Sequence, residues 1–349
     1  MASSISLASL SGTAALSTVI HPILPIVASA IDGGRQILIM HLSDDRTKVI
    51  RDEVLIQARI APNMTFHPTR PFLATSSGQL DRTLEFGPGH YSRSSNVTIY
   101  QLSADGKSES RPIATLKGHD SPVTATSFCP DDSDDFLKIA TGDNEGDIHL
   151  WNIHCSVGSV ECVSFFGSPF FMSECSISTY LISSIHWLNQ TTLVASHWNG
   201  YAKIIQYSES EKRFVVLPFF RTGTGILTCT GGHPSGDFFV TGGSGREDGT
   251  IQVWSTKSLQ PICTLGSISS EIISMEYDAT LGLIIVGCVK EVVIVRISPA
   301  GDALHVLSKS ALHRRYVTTV AVHTVDTADG VETRVLSGTN GGSLVLSRI

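Results

Sequence analysis

Short runs of alternating or β-branched residues, separated by turn residues, recur along the whole chain. The pattern is clearest between Lys117 and Asn152. There Val123–Phe128, Leu137–Gly142 and Asp147–Ile153 are broken only at Pro130–Asp135 and Asn144–Gly146. A period of two bounded by Gly, Pro, Asn and Asp predicts β-strands joined by tight turns. The most repeatable unit is a hairpin: an apolar run, a Gly/Asn/Asp turn, and a second apolar run. Seven such hairpins are predicted: Ile23–Ile31 with Gln36–Leu42, Phe72–Ser76 with Asn96–Leu102, Leu137–Gly142 with Asp147–Ile153, Thr192–Ser196 with Tyr201–Tyr207, Phe238–Gly242 with Thr250–Ser255, Leu283–Val289 with Glu291–Ile297, and Thr333–Gly338 with Ser343–Ile349. Asp32-Gly33-Gly34, Asn199-Gly200, Asp248-Gly249 and Asn340-Gly341-Gly342 suit the positive φ of tight hairpins.

A further run precedes each hairpin, at Ala14–Ile20, Asn63–Phe66, Val123–Phe128, Leu181–Trp187, Ile226–Thr230, Ile272–Tyr277 and Val317–Val322. A fourth run follows, clearest at Pro112–Leu116, Phe214–Leu217, Pro261–Leu265 and His305–Leu307. Four strands per unit, with Gly118-His119 near the start and Trp151-Asn152 near the end, resemble the repeat of the WD40 β-propellers, with Asn152 where the family has Asp. The resemblance covers nearly the whole chain as strand pattern, and its side-chain signature is specific in the third and fifth repeats. It implies an all-β, seven-bladed propeller occupying residues 1–349, whose four strands per blade are lettered a to d from the channel outwards. The chain ends on a strand c, and Ser4–Leu10 alternates with period two. The N-terminal strand is therefore expected to pair with the last blade and close the ring.

The family also implies a hydrogen-bonded His, Ser/Thr, Asp and Trp within a blade. On that pattern the third repeat offers His119, Thr141, Glu145 in the acid position, and Trp151. The fifth offers Thr241, Asp248 and Trp254 without a Gly-His pair. Tyr100, Ile205 and Val295 stand in the Trp position of the second, fourth and sixth repeats.

Composition narrows the function. Charged residues make up only 16% and the formal charge is −7, which argues against a general nucleic-acid binder. The seven Cys include no Cys-x-x-Cys, so free thiols in a reducing compartment, cytoplasmic or nuclear, are expected. The Met1-Ala2-Ser3-Ser4 start resembles a plastid transit peptide, but no Arg precedes Arg35. Ser, Thr, Pro22 and Pro25 interrupt the apolar N-terminal stretch, so no membrane span is expected. No Gly-x-Ser-x-Gly, His-Glu-x-x-His or P-loop occurs, and Gly243–Gly249 reads as a hairpin loop. No enzyme, cofactor or metal is expected.

What remains is surface. The d-to-a and b-to-c loops of the fold share one face, here the top, and two of them are long. Ser77–Ser95 carries Leu84, Phe86, His90, Tyr91 and Arg93. Phe165–Ser178 carries Phe166, Phe170, Phe171 and Met172. Trp198 stands beside the Asn199-Gly200 turn. Aromatic, Met and Arg side chains are enriched at interface cores. The expectation is a non-catalytic scaffold or adaptor that binds proteins in a larger complex. The alternative is a propeller that reads short peptides, modified or unmodified, in its central channel. Against both stands the reading that Phe165, Phe166, Phe170 and Phe171 form strand d and an infolded loop.

Overall fold

The computed structural model describes residues 4–9, 17–31, 36–43, 48–56, 63–77, 95–103, 110–130, 133, 135–166, 181–208, 210–211, 213–216, 220–222, 226–233, 235–244, 248–268, 270–278, 280–314, 316–327, 330–339 and 343–348. Among these there is no helix. The strands fall into seven antiparallel sheets that succeed one another along the chain. Blade one is Ser17–Ile20, Ile26–Ile31, Gln36–Leu42 and Val49–Ile56. Blade two is Met64–Phe66, Phe72–Ser77, Ser95–Gln101 and Arg111–His119. Blade three is Val123–Phe128, Phe136–Asp143, Ile148–His154 and Val160–Phe166. Blade four is Ile182–Trp187, Thr192–His197 and Tyr201–Ser208, with its outer edge shared by Arg213–Val216 and Phe220–Arg221. Blade five is Ile226–Gly232, Phe238–Ser244, Gly249–Ser255 and Pro261–Leu265. Blade six is Ile272–Asp278, Leu283–Cys288, Val292–Ile297 and Leu304–Ser310. Blade seven is Val317–Thr327, Gly330–Thr339 and Ser343–Arg348. Its outer strand is Ser4–Ser9, antiparallel to Ser343–Arg348 with Ser4 opposite Ser347 and Ser9 opposite Ser343.

The apolar side chains gather in seven clusters, and each lies between two consecutive blades. Ile26, Ile39, Leu73 and Tyr100 fill the seam of blades one and two. Leu283, Ile285, Val317 and Val335 fill that of six and seven. Ile20, Met40, Leu336 and Leu346 join seven to one. Strands b and c supply both neighbouring seams, because successive side chains point to opposite faces. In blade six Ile284 and Val286 face blade five, while Leu283 and Ile285 face blade seven. The Trp-position residues pack on the preceding blade: Tyr100 on blade one, Trp151 on two, Ile205 on three, Trp254 on four and Val295 on five.

Polar bonds cross the same seams. His21 Nε2 donates to the Arg70 carbonyl at 2.9 Å, and Arg70 Nη1 donates to that of Ser133 at 2.7 Å. Thr124 Oγ1 donates to the Ile182 carbonyl at 2.6 Å, and Trp187 Nε1 to that of Ser127 at 3.0 Å. The Ile272 amide donates to Ser244 Oγ at 2.9 Å. Thr319 Oγ1 donates to the Thr18 carbonyl across the junction of last and first blades.

Two irregularities repeat. In blades three to seven the a–b pairing shifts by one residue near the start of strand a, displacing Thr124, Ser183, Thr228, Ile273 and Thr318. In blades one, two, three, five, six and seven a second shift lies in strand d and leaves Ile50, Ile113, Val163, Ile262, Leu307 and Leu7 without a cross-strand partner. Each is a β-bulge, which bends a strand and interrupts its ladder.

One expectation is corrected here. Phe165 and Phe166, read as the beginning of the loop between blades three and four, belong to strand d of blade three, opposite His149 and Ile148. Continuing β-pairing along Ile148–His154 absorbs them.

The seams are close-packed. A Cβ on Gly287 would lie 2.9 Å from both the Val317 carbonyl oxygen and its Cγ1. The backbone oxygen cannot rotate away, so Gly287→Ala is expected to destabilise the fold by about 1–3 kcal/mol, the usual cost of overpacking. An unchanged urea midpoint would show that blade seven yields freely at this seam.

Candidate functional site

Blade three carries the most complete polar network. His119 precedes strand a and is buried, as are Thr141 and Asp143 on strand b and Trp151 on strand c. His119 Nδ1 donates to Asp143 Oδ2 at 2.9 Å, and His119 Nε2 lies 2.7 Å from Thr141 Oγ1. Trp151 Nε1 donates to the same hydroxyl at 2.8 Å. A carboxylate only accepts and an indole N–H only donates. With a neutral imidazole, the proton therefore sits on His119 Nδ1 and the Thr141 hydroxyl donates to Nε2. His149 stacks on His119, ring centroids 4.0 Å apart. Burial, and then the stacked imidazole of His119, lower its pKa to about 4, against a smaller opposing pull from Asp143. His149 is consequently neutral at neutral pH.

The acid of this network is Asp143, not Glu145. Asp143 ends strand b, where its side chain returns beneath the turn. Its Oδ1 accepts the amides of Glu145 and Asp147 at 3.0 and 2.9 Å. Glu145 lies within that turn. Partial burial and then Asp143, Asp147 and Asp120 raise its pKa. Blade five repeats half the arrangement, with Trp254 Nε1 donating to Thr241 Oγ1 at 2.9 Å. Asp248 is exposed and accepts from Ser267 Oγ at 3.1 Å, so it stands outside that pair. Ser244, which ends strand b opposite Ile226 as Asp143 does opposite Val123, turns its hydroxyl to blade six instead.

Sequence reasoning missed one such pair. In blade seven His313 Nε2 lies 2.8 Å from Ser337 Oγ, both buried. The signal was spacing: His313 precedes Val317 by the four residues that separate His119 from Val123. No Gly precedes His313 and no Trp follows, so the cue was bare.

On the top face, Trp198 is 45% exposed, whereas Trp151, Trp187 and Trp254 are 3–4% exposed. Its turn is pinned on both sides. The Trp198 amide donates to the Leu181 carbonyl at 3.0 Å, and Gly200 N to His197 O at 3.0 Å. Thr222 donates to the Gly200 carbonyl through its amide and its hydroxyl, at 3.0 and 2.9 Å. Gly200 has φ 82°, and Gly146 in the matching turn of blade three has φ 92°. That region favours glycine. Leu84, Phe86, His90, Tyr91, Arg93, Phe170, Phe171 and Met172 lie outside the described residues, as does the side chain of Phe166. Among the described residues no group of three or more His, Cys, Asp or Glu is placed to hold a metal, and no helix is long and apolar enough to cross a membrane.

A family model described as "WD domain, G-beta repeat" matches residues 110–152 and 218–255. Each match begins near strand d of one blade and ends in strand c of the next, so one sequence repeat ties two blades together. The chain is also similar to the WD repeat-containing protein 91 homolog of Dictyostelium discoideum, 26% identical over 187 residues. The alignment spans 52% of this chain and 21% of that relative, about a fifth of its length.

Thr141 serves two buried donor–acceptor partners and Thr241 serves one. Thr141→Val is expected to cost more stability than Thr241→Val, by about 1–3 kcal/mol for the extra unsatisfied group. Urea titrations of the two variants compare them directly, and equal midpoint shifts would remove His119 from the energetic network.

Proposed function

We propose that this chain, which belongs to the WD40-repeat β-propellers, is a non-catalytic scaffold that holds other proteins in a larger assembly through its top face. The family's fold supports protein interaction in general. The observation that supports the face is Trp198: one indole of four is left half in water, on a turn fixed by hydrogen bonds from Leu181 to Thr222. A turn whose backbone is already fixed loses little conformational entropy on binding, and Trp is a frequent hot-spot residue. The long connections of the sequence, with Phe170, Phe171 and Met172 in one and Phe86, Tyr91 and Arg93 in the other, lie outside the described residues and are part of the same proposal. The relative's name speaks of WD repeats and carries no partner over to this chain. A reducing cytoplasmic or nuclear compartment is part of the same proposal, in keeping with the free Cys155, Cys263 and Cys288.

Trp198→Ala is expected to weaken capture of the partner by about tenfold or more while leaving thermal unfolding almost unmoved, because the side chain is already half solvated. Quantitative pull-down with a melting curve on the same sample checks both. Equal capture by variant and wild type removes Trp198 from the site.

A second reading has its own observation. Glu276 lies on the innermost strand of blade six, reached by solvent yet ringed by protein. Loss of hydration and then the Asp278 charge push its pKa up to about 8. A peptide cation entering the channel would bind the ionised form, so at lower pH it must first displace a proton. Capture of a lysine-bearing peptide is therefore expected to strengthen as pH rises towards 8, and Glu276→Gln to abolish that dependence. A peptide array probed at several pH values tests this, and a flat profile for the wild type removes the channel reading.

A further inference from the structure

We propose that the outer rim of blades five and six is a second interaction surface, shaped for an acidic amphipathic helix of a partner protein. It is independent of the top face. Three large apolar side chains are exposed there: Ile262 at 40%, Val306 at 40% and Leu307 at 43%.

Their arrangement follows from register. In blade five Trp254 pairs with Pro261 and Val253 with Cys263, so Ile262 is the bulged residue. In blade six Val295 pairs with Val306 and Ile294 with Ser308, so Leu307 is the bulged residue. Trp254 and Val295 hold the same position in consecutive blades. Pro261 therefore corresponds to Val306 and Ile262 to Leu307, and the two pairs stand at one height on adjoining outer strands. The seam between those strands is clamped at both ends. Cys263 Sγ donates to the Gly301 carbonyl at 3.3 Å, and Lys309 Nζ donates to the Ile268 carbonyl. The apolar patch is thus preformed.

The bulges also decide how a partner can lie on it. A strand added to either edge would need an unbroken ladder, and each ladder is interrupted at the apolar residue itself. A helix needs no such ladder and can cover side chains from both strands, using an apolar face at i, i+3, i+4 and i+7. Charge selects the helix. Neither Pro261–Leu265 nor Leu304–Ser310 contains Asp or Glu, while His305 and Lys309 are both exposed. The carboxylate at the end of the patch, Asp302, accepts a 2.5 Å bond from Ser298 Oγ. The outer strand of blade one, where Ile50 is exposed, carries Asp52 and Glu53 beside Arg51 and lacks this bias.

The test uses the full chain and a labelled synthetic peptide of about five helical turns, with Leu on one face and Glu on the other. Two control peptides replace Glu by Lys or scramble the Leu positions. Fluorescence anisotropy is expected to show binding of the acidic amphipathic peptide alone, weakened by added salt. Ile262→Asp with Leu307→Asp is expected to weaken it by about tenfold or more, and the milder Leu307→Ser by about threefold. A circular-dichroism melt confirms folding, and Leu307→Ser decides the matter if the double variant does not fold. Equal binding of the basic or scrambled peptide overturns the proposal, as does unchanged binding by Leu307→Ser. Sedimentation that shows a dimer dispersed by Leu307→Ser also overturns it, since a second copy would then cover the rim. None of these outcomes bears on Trp198.

Discussion

The seam between neighbouring blades is the constraint on which the rest of this structure depends. A four-stranded sheet has two apolar faces and cannot bury either alone. Here each blade gives one face to the blade before and the other to the blade after, so seven small cores replace one large core. Burial of apolar surface, at about 25 cal/mol per Å2, is then distributed around a ring. Such a ring tolerates a weak repeat as long as its neighbours fit. Tyr100, Ile205 and Val295 can all stand where Trp151 and Trp254 stand elsewhere, because each needs only to fill the seam before it.

Polar groups at the seams work differently from the apolar ones. Apolar packing is non-directional and would permit blades to slide. Thr124, Trp187, Arg70 and Thr319 each donate to a particular carbonyl of the adjoining blade, which fixes the height of one sheet against the next. The network of His119, Asp143, Thr141 and Trp151 adds rigidity between blades, tying the end of the outer strand of blade two to strands b and c of blade three. A face held this way presents its turns in constant relative positions. That is what an interaction surface requires.

The repeated bulges link architecture to surface. Those near the start of strand a turn Thr124 and Ser183 towards backbone carbonyls. Those in strand d have no neighbour outside them, so they turn apolar side chains such as Ile50, Ile262 and Leu307 into solvent while spoiling the edge as a template for added strands. One local device thus both protects the rim from pairing and makes it sticky. Whether a given rim invites a partner depends on the charges around the bulge.

The sequence by itself determined the number of blades and the position of nearly every b–c hairpin. Period-two alternation and Gly or Asn punctuation are local properties, so the turns at Asn144–Gly146 and Asn199-Gly200 were legible without tertiary information. The tertiary structure decided what depends on where a side chain ends up. Glu145 and Asp143 are two residues apart, at the end of strand b and in the turn after it, and spacing along the chain does not distinguish them. Only the closure of strand b onto His119 selects Asp143. Phe165 and Phe166 look like a sticky loop until pairing with Ile148–His154 makes them strand. Ile262 and Leu307 read as ordinary strand residues, because a bulge is a property of two strands in register and neither strand specifies it alone.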